Sequence, residues 1–293
     1  DIRDGIGDTH DRFRRKVGAY DEALGGLRLL RDRGIKVGLR FTMTGTEHVP
    51  RKGGAVMAIN HTGYLDFTYA GYAALPARRL VRFMAKESVF AHPVSGPVMR
   101  GMKHIPVDRT AGAAAYRKAV DALRGGEIVG VYPEATISRS FELKEFKPGA
   151  ARMAQEAEVP ILPTVILGAQ RVWTKGQPKN MGRSNTPIYI SVGEPMTVTP
   201  HEDPVEATAR LKAAMAAQLD ALWAAYPPIP ESEAHFIPAV RGGKAPTQEE
   251  ADVIHRADAE KRREAARVKA EQAAQAAQTA QSGQPLKKKR FRG

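Results

Sequence analysis

Short apolar runs alternate with helix-like stretches through the middle of the chain, from residue 37 to about residue 191. The apolar runs have strand length and β-branched content, and they cover residues 56–59, 81–84, 104–107, 128–132, 161–167 and 188–192. The stretches between them that have helical composition are 66–74, 111–123 and 150–158. Because strands that alternate with helices build crossover units, this order predicts an α/β domain with a mixed, partly parallel sheet flanked by helices.

An N-terminal amphipathic helical segment is predicted over residues 1–36. Its apolar residues recur at steps of three and four, and they are Phe13, Val17, Tyr20, Leu24 and Leu27. Basic residues surround this apolar stripe. A helix of this kind either packs its stripe on the main domain or lies among lipid headgroups. Membrane contact is therefore one of two interpretations that stay open.

The last part of the chain is predicted to hold a closing helix and a basic tail. The helix covers residues 204–225. Its apolar face is formed by Leu211, Met215, Leu219 and Leu222. Residues 247–281 consist mostly of Ala, Gln, Glu, Arg and Lys, which favours helix but buries little. We therefore predict a main domain over residues 37–237, followed by a basic, Ala/Gln-rich tail over 238–293 that is partly helical and partly disordered.

Composition narrows the class of protein. The 293 residues contain 42% hydrophobic and 26% charged residues, which is typical of a folded globular chain. No apolar run reaches the roughly 18 residues that a membrane-spanning helix needs. The sequence contains no cysteine, which excludes disulfides, cysteine nucleophiles and cysteine metal sites.

The net charge of +13 predicts an anionic partner. Residues 238–293 carry 13 Lys/Arg and 7 Asp/Glu, so the tail contributes +6 and the rest of the chain +7. Lipid surfaces, phosphorylated substrates, coenzyme A, acidic carrier protein and nucleic acid all fit this charge. Aromatic residues make up only 6% of the chain and no nucleic-acid module is recognisable, so nucleic acid is not expected as the main partner. The terminal LKKKRFRG is predicted to help hold the protein to an anionic membrane surface.

The first segment with catalytic chemistry is NHTGYLD, residues 60–66, which follows the predicted strand 56–59. On a regular helix His61 and Asp66 would point about 140° apart. They can pair only if His61 lies in the loop and Asp66 in the first helical turn, a bend that Gly63 permits. The carboxylate would then fix the tautomer of the ring, and the other ring nitrogen could take a proton from an alcohol. This spacing alone is equally compatible with a structural histidine.

Three further segments follow in order: GMKHIPVDR (101–109), VYPEATISR (131–139) and VPILP (159–163). Together with His61 and Asp66 they resemble the four sequence blocks of the glycerophospholipid acyltransferase family, whose best-known members are the PlsC-like 1-acylglycerol-3-phosphate O-acyltransferases. The blocks of that family are His-x-x-x-x-Asp, Gly-x-x-Phe-Ile-x-Arg, Phe-Pro-Glu-Gly-Thr-Arg-Ser and Val-Pro-Ile-x-Pro. The similarity spans about residues 40–200, and four ordered blocks make it specific.

The resemblance implies an O-acyltransferase in which His61 is the general base and Asp66 is its orienting partner. The substrate-binding residues that it implies are Lys86, Arg109, Glu134, Thr136, Arg139 and Lys144. Lys86 is a candidate phosphate contact, although a solvated surface charge remains the alternative for each lysine, including Lys147. Pro160 and Pro163 would belong to a structural or acyl-lining block.

The sequence departs from the family pattern at three positions. Ala135 replaces the glycine of the third block, and Ile137 replaces the arginine that is the family's usual phosphate ligand. Arg139 or Lys144 would have to take the place of that arginine, so the acceptor stays open. His104 replaces the usual aromatic residue, and we predict a structural role for it.

The activity that the resemblance implies is transfer of a fatty acyl group from acyl-CoA or acyl carrier protein to the free hydroxyl of 1-acylglycerol 3-phosphate, giving phosphatidic acid. Because of Ile137, the alternatives are glycerol 3-phosphate, including its sn-2 hydroxyl, or a glycolipid hydroxyl. The sequence has neither cysteine nor a Gly-x-Ser-x-Gly motif, so we expect direct transfer without an acyl-enzyme. The histidines are scattered, so no metal ion or other cofactor is expected. The expected location is peripheral, on the cytoplasmic face of the membrane.

Overall fold

The computed structural model describes residues 40–91, 93, 95–107, 112–181 and 185–282. The chain divides into two compact units between Ala245 and Pro246. The helical segment predicted over residues 1–36 lies outside the described residues, so it stays a prediction. Among the described residues, no helix is both long enough and apolar enough to cross a membrane.

Within the described residues, the first unit contains a seven-stranded sheet. Its strands are β1 (Arg40–Thr44), β2 (Ala55–Ile59), β3 (Val81–Lys86), β4 (Ile105–Val107), β5 (Ile128–Val131), β6 (Ile161–Leu167) and β7 (Pro187–Val192). The order across the sheet is β1-β7-β6-β2-β5-β3-β4. Strands β6, β2, β5, β3 and β4 are parallel, whereas β7 is antiparallel to β6 and β1 is parallel to β7. The predicted mixed, partly parallel sheet is confirmed.

Helices follow most of these strands. In the described part of the first unit they are α1 (Asp66–Ala74), α2 (Glu87–Ala91), α3 (Ser95–Gly101), α4 (Gly112–Arg124), α5 (Gly149–Ala157) and α6 (Pro204–Ala225). Single turns of 3₁₀ helix occupy Thr46–His48, Leu75–Ala77, Ala169–Arg171 and Ala239–Arg241, and a longer one occupies Glu231–Phe236. The start of α6 is set by Pro204 at its first position and by Asp203, whose side chain accepts a hydrogen bond from Val205 N at 2.9 Å.

The second unit contains one long helix among its described residues, α7 (Gln248–Ser282). This helix agrees with the helical part of the tail prediction. The disordered part of that prediction falls on residues 283–293, which lie outside the described residues.

The core lies on both faces of the sheet because the central strands are apolar throughout. Every residue of β2 is buried. Val56 and Ala58 face one side, where α4, α5 and α6 pack. Met57 and Ile59 face the other side, which α1 covers. Side chains of a strand alternate between the two faces, so an unbroken apolar run is what a sheet covered on both sides requires.

Three elements were not predicted from the sequence, namely β1, α2 and α3. Strand β1 lies at the edge of the sheet and pairs with β7, which is far away in sequence. Because the partner strand is so distant, no pattern within residues 40–44 predicts this pairing. Helices α2 and α3 are short, with five and seven residues, and they lie within the link between β3 and β4. Short elements of this kind carry little periodicity.

The parallel strands deliver their connecting loops to one edge of the sheet, which we call the carboxyl edge. Ala58 in β2 pairs with Val131 in β5, so the loops that follow these two strands leave the sheet side by side. Lys86 at the end of β3 pairs with Val107 at the end of β4. In open α/β sheets this edge is where ligands bind.

Candidate active site

His61 and Asp66 form a hydrogen-bonded pair at the carboxyl edge. His61 Nδ1 lies 2.9 Å from Asp66 Oδ2. His61 is in the loop after β2 and Asp66 is the first residue of α1, which is the arrangement that the sequence required for pairing. The Asp66 side chain is fully buried, whereas 20% of the His61 side chain is exposed. The ring nitrogen that remains for a substrate is Nε2.

Two backbone groups hold the Asp66 carboxylate in place. Thr62 N and Gly63 N donate to Asp66 Oδ2 at 2.8 and 2.9 Å, so this oxygen has three partners. A Cβ on Gly63 would lie 3.0 Å from Ala169 O, a tight contact that glycine avoids. The loop therefore wraps around the carboxylate and presents the His61 ring in one orientation.

The loop is also attached to the segment that follows β6. Tyr64 N donates to Trp173 O at 2.9 Å, and the Thr174 hydroxyl donates to Thr62 O at 2.6 Å. Thr174 is buried. These bonds support the His61 loop from the side opposite to β5.

Tyr132, the first residue after β5, stacks on the His61 ring. The two ring centroids lie 4.0 Å apart and the planes are inclined by 21°. Burial, and then the charge of Asp66, raise the pKa of Tyr132 well above its ordinary value, so its phenol stays neutral. The sequence offered a signal for this residue, because it occupies the aromatic position before Pro133 and Glu134 in the third block.

Glu134 joins the loops that follow β2 and β5. Its Oε1 accepts from His61 N at 2.8 Å and its Oε2 accepts from Lys144 N at 3.2 Å. Ser138 N adds a bond to His61 O at 2.7 Å. Burial raises the pKa of Glu134 to about 8; the two N–H bonds oppose this rise, and the charge of Asp66 adds to it. Glu134, which the resemblance assigns to substrate binding, thus contacts the backbone of His61 itself.

The other predicted residues of the third block lie in the same loop. Thr136 and Arg139 are half-buried, and Arg139 Nη1 lies 3.5 Å from Lys175 O. Lys144 contributes its backbone N–H to Glu134, and its side chain is half-buried.

The two departures from the family pattern that lie in the third block, Ala135 and Ile137, have different environments. The Ile137 side chain is buried, so it is part of the packing under the loop. Ala135 is exposed and has a φ of 59°, in the left-handed region that favours glycine.

Two predicted substrate contacts are only partly described. Lys86 is the last residue of β3, so its backbone reaches the carboxyl edge beside β4. Arg109 lies outside the described residues. The substrate-binding roles of both residues stay predictions.

The prolines of the fourth block belong to the sheet. Pro163 lies in β6 opposite Ala58, and its carbonyl oxygen accepts from Gly193 N at 2.7 Å. The carbonyl oxygen of Pro160 accepts from Val56 N at 2.9 Å. These contacts support the structural interpretation of this block rather than the acyl-lining one.

A groove of about 320 Å³ opens beside Tyr132 at the carboxyl edge. Apolar side chains, among them Met84, Val107 and Met153, form most of its lining, and Lys147 also lines it. A concave, mainly apolar site with one cationic group suits an apolar chain that carries an anionic head. Within the described residues, no group of three or more His, Asp or Glu side chains is placed to bind a metal ion.

Residues 40–167 match the family model described as Acyltransferase. The chain is similar to the 1-acyl-sn-glycerol-3-phosphate acyltransferase of Bacillus subtilis, with 29% identity over 154 residues that cover 51% of this chain and 70% of the relative. It is similar to the protein of that name from Borreliella burgdorferi, with 29% identity over 163 residues that cover 53% of this chain and 61% of the relative.

A solved structure has the same fold. It is the crystal structure of the 1-acyl-sn-glycerophosphate acyltransferase PlsC from Thermotoga maritima, with a TM-score of 0.53 and 20% identity. The match covers 65% of this chain and 75% of that chain. The resemblance and the fold class predicted from the sequence are confirmed by these matches.

Proposed function

We propose an acceptor and a mechanism for this chain, which belongs to the acyltransferase family through residues 40–167 and is an enzyme of the O-acyltransferase class. It transfers a fatty acyl group from acyl-CoA or acyl carrier protein to the free hydroxyl of 1-acylglycerol 3-phosphate, giving phosphatidic acid. The names of the Bacillus and Borreliella relatives support this acceptor. The observation that carries the proposal is the 2.9 Å contact between His61 Nδ1 and Asp66 Oδ2.

The reaction is a direct transfer. His61 Nε2 takes the proton of the acceptor hydroxyl while the hydroxyl oxygen attacks the thioester carbonyl. The tetrahedral intermediate then collapses, the carbon–sulfur bond breaks, and His61 returns the proton to the departing thiolate. Asp66 keeps the proton of the resting ring on Nδ1 and stabilises the imidazolium that forms during attack.

Tyr132 and Glu134 position the base in this mechanism. The stacked ring of Tyr132 limits rotation of the His61 imidazole, and Glu134 holds the His61 backbone. Holding reacting groups in one geometry removes much of the entropic cost of bringing them together. In this proposal the apolar groove beside Tyr132 takes the acyl chain and Lys147 in its lining pairs with the charged end of the substrate; the mainly apolar lining supports this role.

The buried Ile137 favours a second candidate acceptor. A branched apolar side chain under the loop cannot bind phosphate, so the phosphate would depend on Arg139, Lys144 or the predicted contacts Lys86 and Arg109. Glycerol 3-phosphate, including its sn-2 hydroxyl, or a glycolipid hydroxyl is then the alternative acceptor. In either case the enzyme would act as a peripheral protein on the cytoplasmic face of the membrane.

The test is thioester-release kinetics with one acyl-CoA and a panel of acceptors. The panel contains lysophosphatidate, glycerol 3-phosphate, and a monoacylglycerol that matches lysophosphatidate but lacks the phosphate. We expect the fastest release with lysophosphatidate, and a loss of about 100- to 10,000-fold in His61→Ala because the general base is removed.

Two results would contradict the proposal. Turnover with the monoacylglycerol equal to that with lysophosphatidate would discard a phosphate-bearing acceptor and favour the glycolipid alternative. Undiminished turnover in His61→Ala, with unchanged folding by circular dichroism, would discard the base.

A further inference from the structure

We infer that an exposed patch beside the His61 loop docks the enzyme onto an anionic lipid surface, an inference that rests on the proposed lipid acceptor. The patch consists of Tyr64, Trp173, Lys179 and Met181, and we call it the aromatic patch. Tyr64 is 41% exposed and Met181 is 58% exposed. Lys179 is exposed and Trp173 is half-buried.

Trp173 contacts both Tyr64, which is distant in sequence, and Lys179, which lies in its own segment. The rings of Tyr64 and Trp173 lie 4.8 Å apart between centroids. Lys179 Nζ lies 4.1 Å from the centroid of the Trp173 ring. Asn180 N donates to Val172 O at 2.8 Å, which folds this segment back on itself.

The aromatic patch is attached to the catalytic loop. Tyr64 follows His61 by three residues, and its backbone N–H donates to Trp173 O at 2.9 Å. The Thr174 hydroxyl donates to Thr62 O at 2.6 Å, and Thr62 N in turn donates to Asp66. A lipid surface that contacts the patch would therefore lie beside the His61 loop. Because the proposed acceptor is itself a membrane lipid, docking at this place shortens its path to His61.

The charge around the aromatic patch suits an anionic surface. The segments 61–65, 135–141 and 172–181 contain Arg139, Lys175 and Lys179 and no Asp or Glu. A lysine beside an anionic membrane is attracted to the headgroups, while its aliphatic stem can lie along apolar surface. Trp and Tyr are enriched at this depth because each has an apolar body and a polar tip.

Tryptophan fluorescence can locate the contact because the chain has only two tryptophans, Trp173 and Trp223. Trp223 lies on α6 and packs against the core, and its Nε1 is buried without a hydrogen-bond partner among the described residues. Trp223→Phe therefore keeps the packing and leaves Trp173 as the reporter. Trp173→Phe is the matched control that leaves Trp223 as the reporter.

The experiment adds vesicles with brominated acyl chains to the full-length variants without any substrate. One set of vesicles contains phosphatidylcholine and phosphatidylglycerol, and the other contains phosphatidylcholine alone. We expect the anionic vesicles to shift the emission of Trp173 to shorter wavelength and to quench it, and to leave Trp223 unchanged. Vesicle sedimentation measures binding in the same samples.

A charge variant sharpens the test. Lys179→Gln should weaken binding to anionic vesicles about fivefold, since one basic residue near such a surface contributes about 1 kcal/mol. Lys52→Gln makes the same charge change in the exposed loop before β2, at the opposite edge of the sheet, and should bind like the unmodified protein.

Three outcomes would overturn the inference. These are vesicle binding without quenching of Trp173, equal quenching of Trp173 and Trp223, and no vesicle binding at all. Thioester release in detergent is measured separately on the same variants. A failure of docking therefore leaves the acyl-transfer proposal to be judged by its own assay.

Discussion

Two histidine turns at opposite edges of the sheet show how surroundings determine the chemistry of one side chain. His61 follows β2 at the carboxyl edge, where its ring is partly exposed and its Nδ1 contacts Asp66. His104 precedes β4 at the amino edge, where it is buried and its Nδ1 accepts a hydrogen bond from Phe83 N at 3.0 Å. In the proposed mechanism, the carboxylate partner and the partial exposure prepare the His61 ring for proton transfer.

The surroundings of His104 keep it neutral. Burial, and then the charge of Arg82, lower the pKa of His104 to about 4. Because Nδ1 accepts, the ring proton is assigned to Nε2, which is buried without a partner among the described residues. A ring in this state stabilises the link between β3 and β4 and takes no part in the proposed acyl transfer. The hydrogen bond from Phe83 N therefore supports the structural role predicted for His104.

The largest expected effect comes from Asp66→Asn, which tests whether the carboxylate makes the difference between the two turns. Asn offers one oxygen where Asp66 Oδ2 now accepts from three donors. An Asn oxygen in the position of Oδ2 keeps these three bonds and the ring tautomer, and its NH₂ then takes the position of Oδ1, which is buried without a hydrogen-bond partner among the described residues. The negative charge beside the ring is lost. We expect kcat for thioester release to fall about 1,000-fold, since the imidazolium that forms during attack loses a charge partner worth roughly 4 kcal/mol at such a distance.

His104→Ala is the control for that prediction. Removing the acceptor of Phe83 N should lower the free energy of unfolding by about 1–3 kcal/mol, measured by urea denaturation. The kcat of the folded enzyme should change by less than about twofold, because the ring that is lost has no substrate contact in the proposed mechanism. A large fall in kcat for His104→Ala at full folding would mean that the two turns do not differ as proposed.

A second, smaller effect is a pH dependence of stability. As pH rises, Glu134 at the carboxyl edge and His104 at the amino edge should change the free energy of unfolding in opposite directions. The raised pKa of Glu134 means that the folded state holds a proton that the unfolded state releases near pH 4.5, so stability falls as pH rises towards about 8. The lowered pKa of His104 means that the unfolded state binds the extra proton below about pH 6.5, so stability rises with pH there. Of these two groups, only Glu134 acts between pH 6.5 and 8.

Urea denaturation across that pH range tests the role of Glu134. We expect the free energy of unfolding of the unmodified protein to fall by about 1–2 kcal/mol between pH 6.5 and 8, and that of Glu134→Gln to stay nearly level. Glu134→Gln also loses one acceptor for the N–H groups of His61 and Lys144, which lowers its stability equally at every pH. Parallel curves for the two proteins would assign the slope to another group.

The sequence predicted the elements whose signals are local. The bounds of β6 and α6 agree with the predictions, because β6 is an apolar run and α6 has a Pro204 start and an apolar stripe. Strand β1 was missed because its pairing with β7 spans most of the domain. A pattern within a few residues cannot reveal such a pairing.

The same distinction holds at the site. The bend at Gly63 allowed the pairing of His61 and Asp66 to be foreseen, because all three residues lie in one short segment. Trp173 and Thr174 contact the His61 loop although they lie more than a hundred positions away in sequence. No local pattern in the sequence predicts these contacts. Glu134 was identified by its block, but its bonds to two backbone N–H groups emerged only from the folded loops.

The smallest expected effect concerns backbone strain, which occurs at both edges of the sheet. Ala135 in the loop after β5 has a φ of 59°, and Arg78 before β3 has a φ of 57°. A residue with a Cβ pays about 1 kcal/mol or more in this region, and glycine recovers that cost but adds entropy to the unfolded chain. Ala135→Gly and Arg78→Gly should therefore each raise the free energy of unfolding by about 0.5 kcal/mol.

Comparing Ala135→Gly with Arg78→Gly distinguishes an effect of backbone strain on stability from an effect on activity. Ala135 lies beside Tyr132 and the groove, whereas Arg78 is exposed at the amino edge. With the same backbone conformation retained, kcat should stay within about twofold in both variants, measured by thioester release. A loss of stability in Ala135→Gly would mean that its methyl group packs in the folded loop. A fall in kcat in Ala135→Gly, without one in Arg78→Gly, would show that the rigidity of this loop helps to hold Tyr132 against His61.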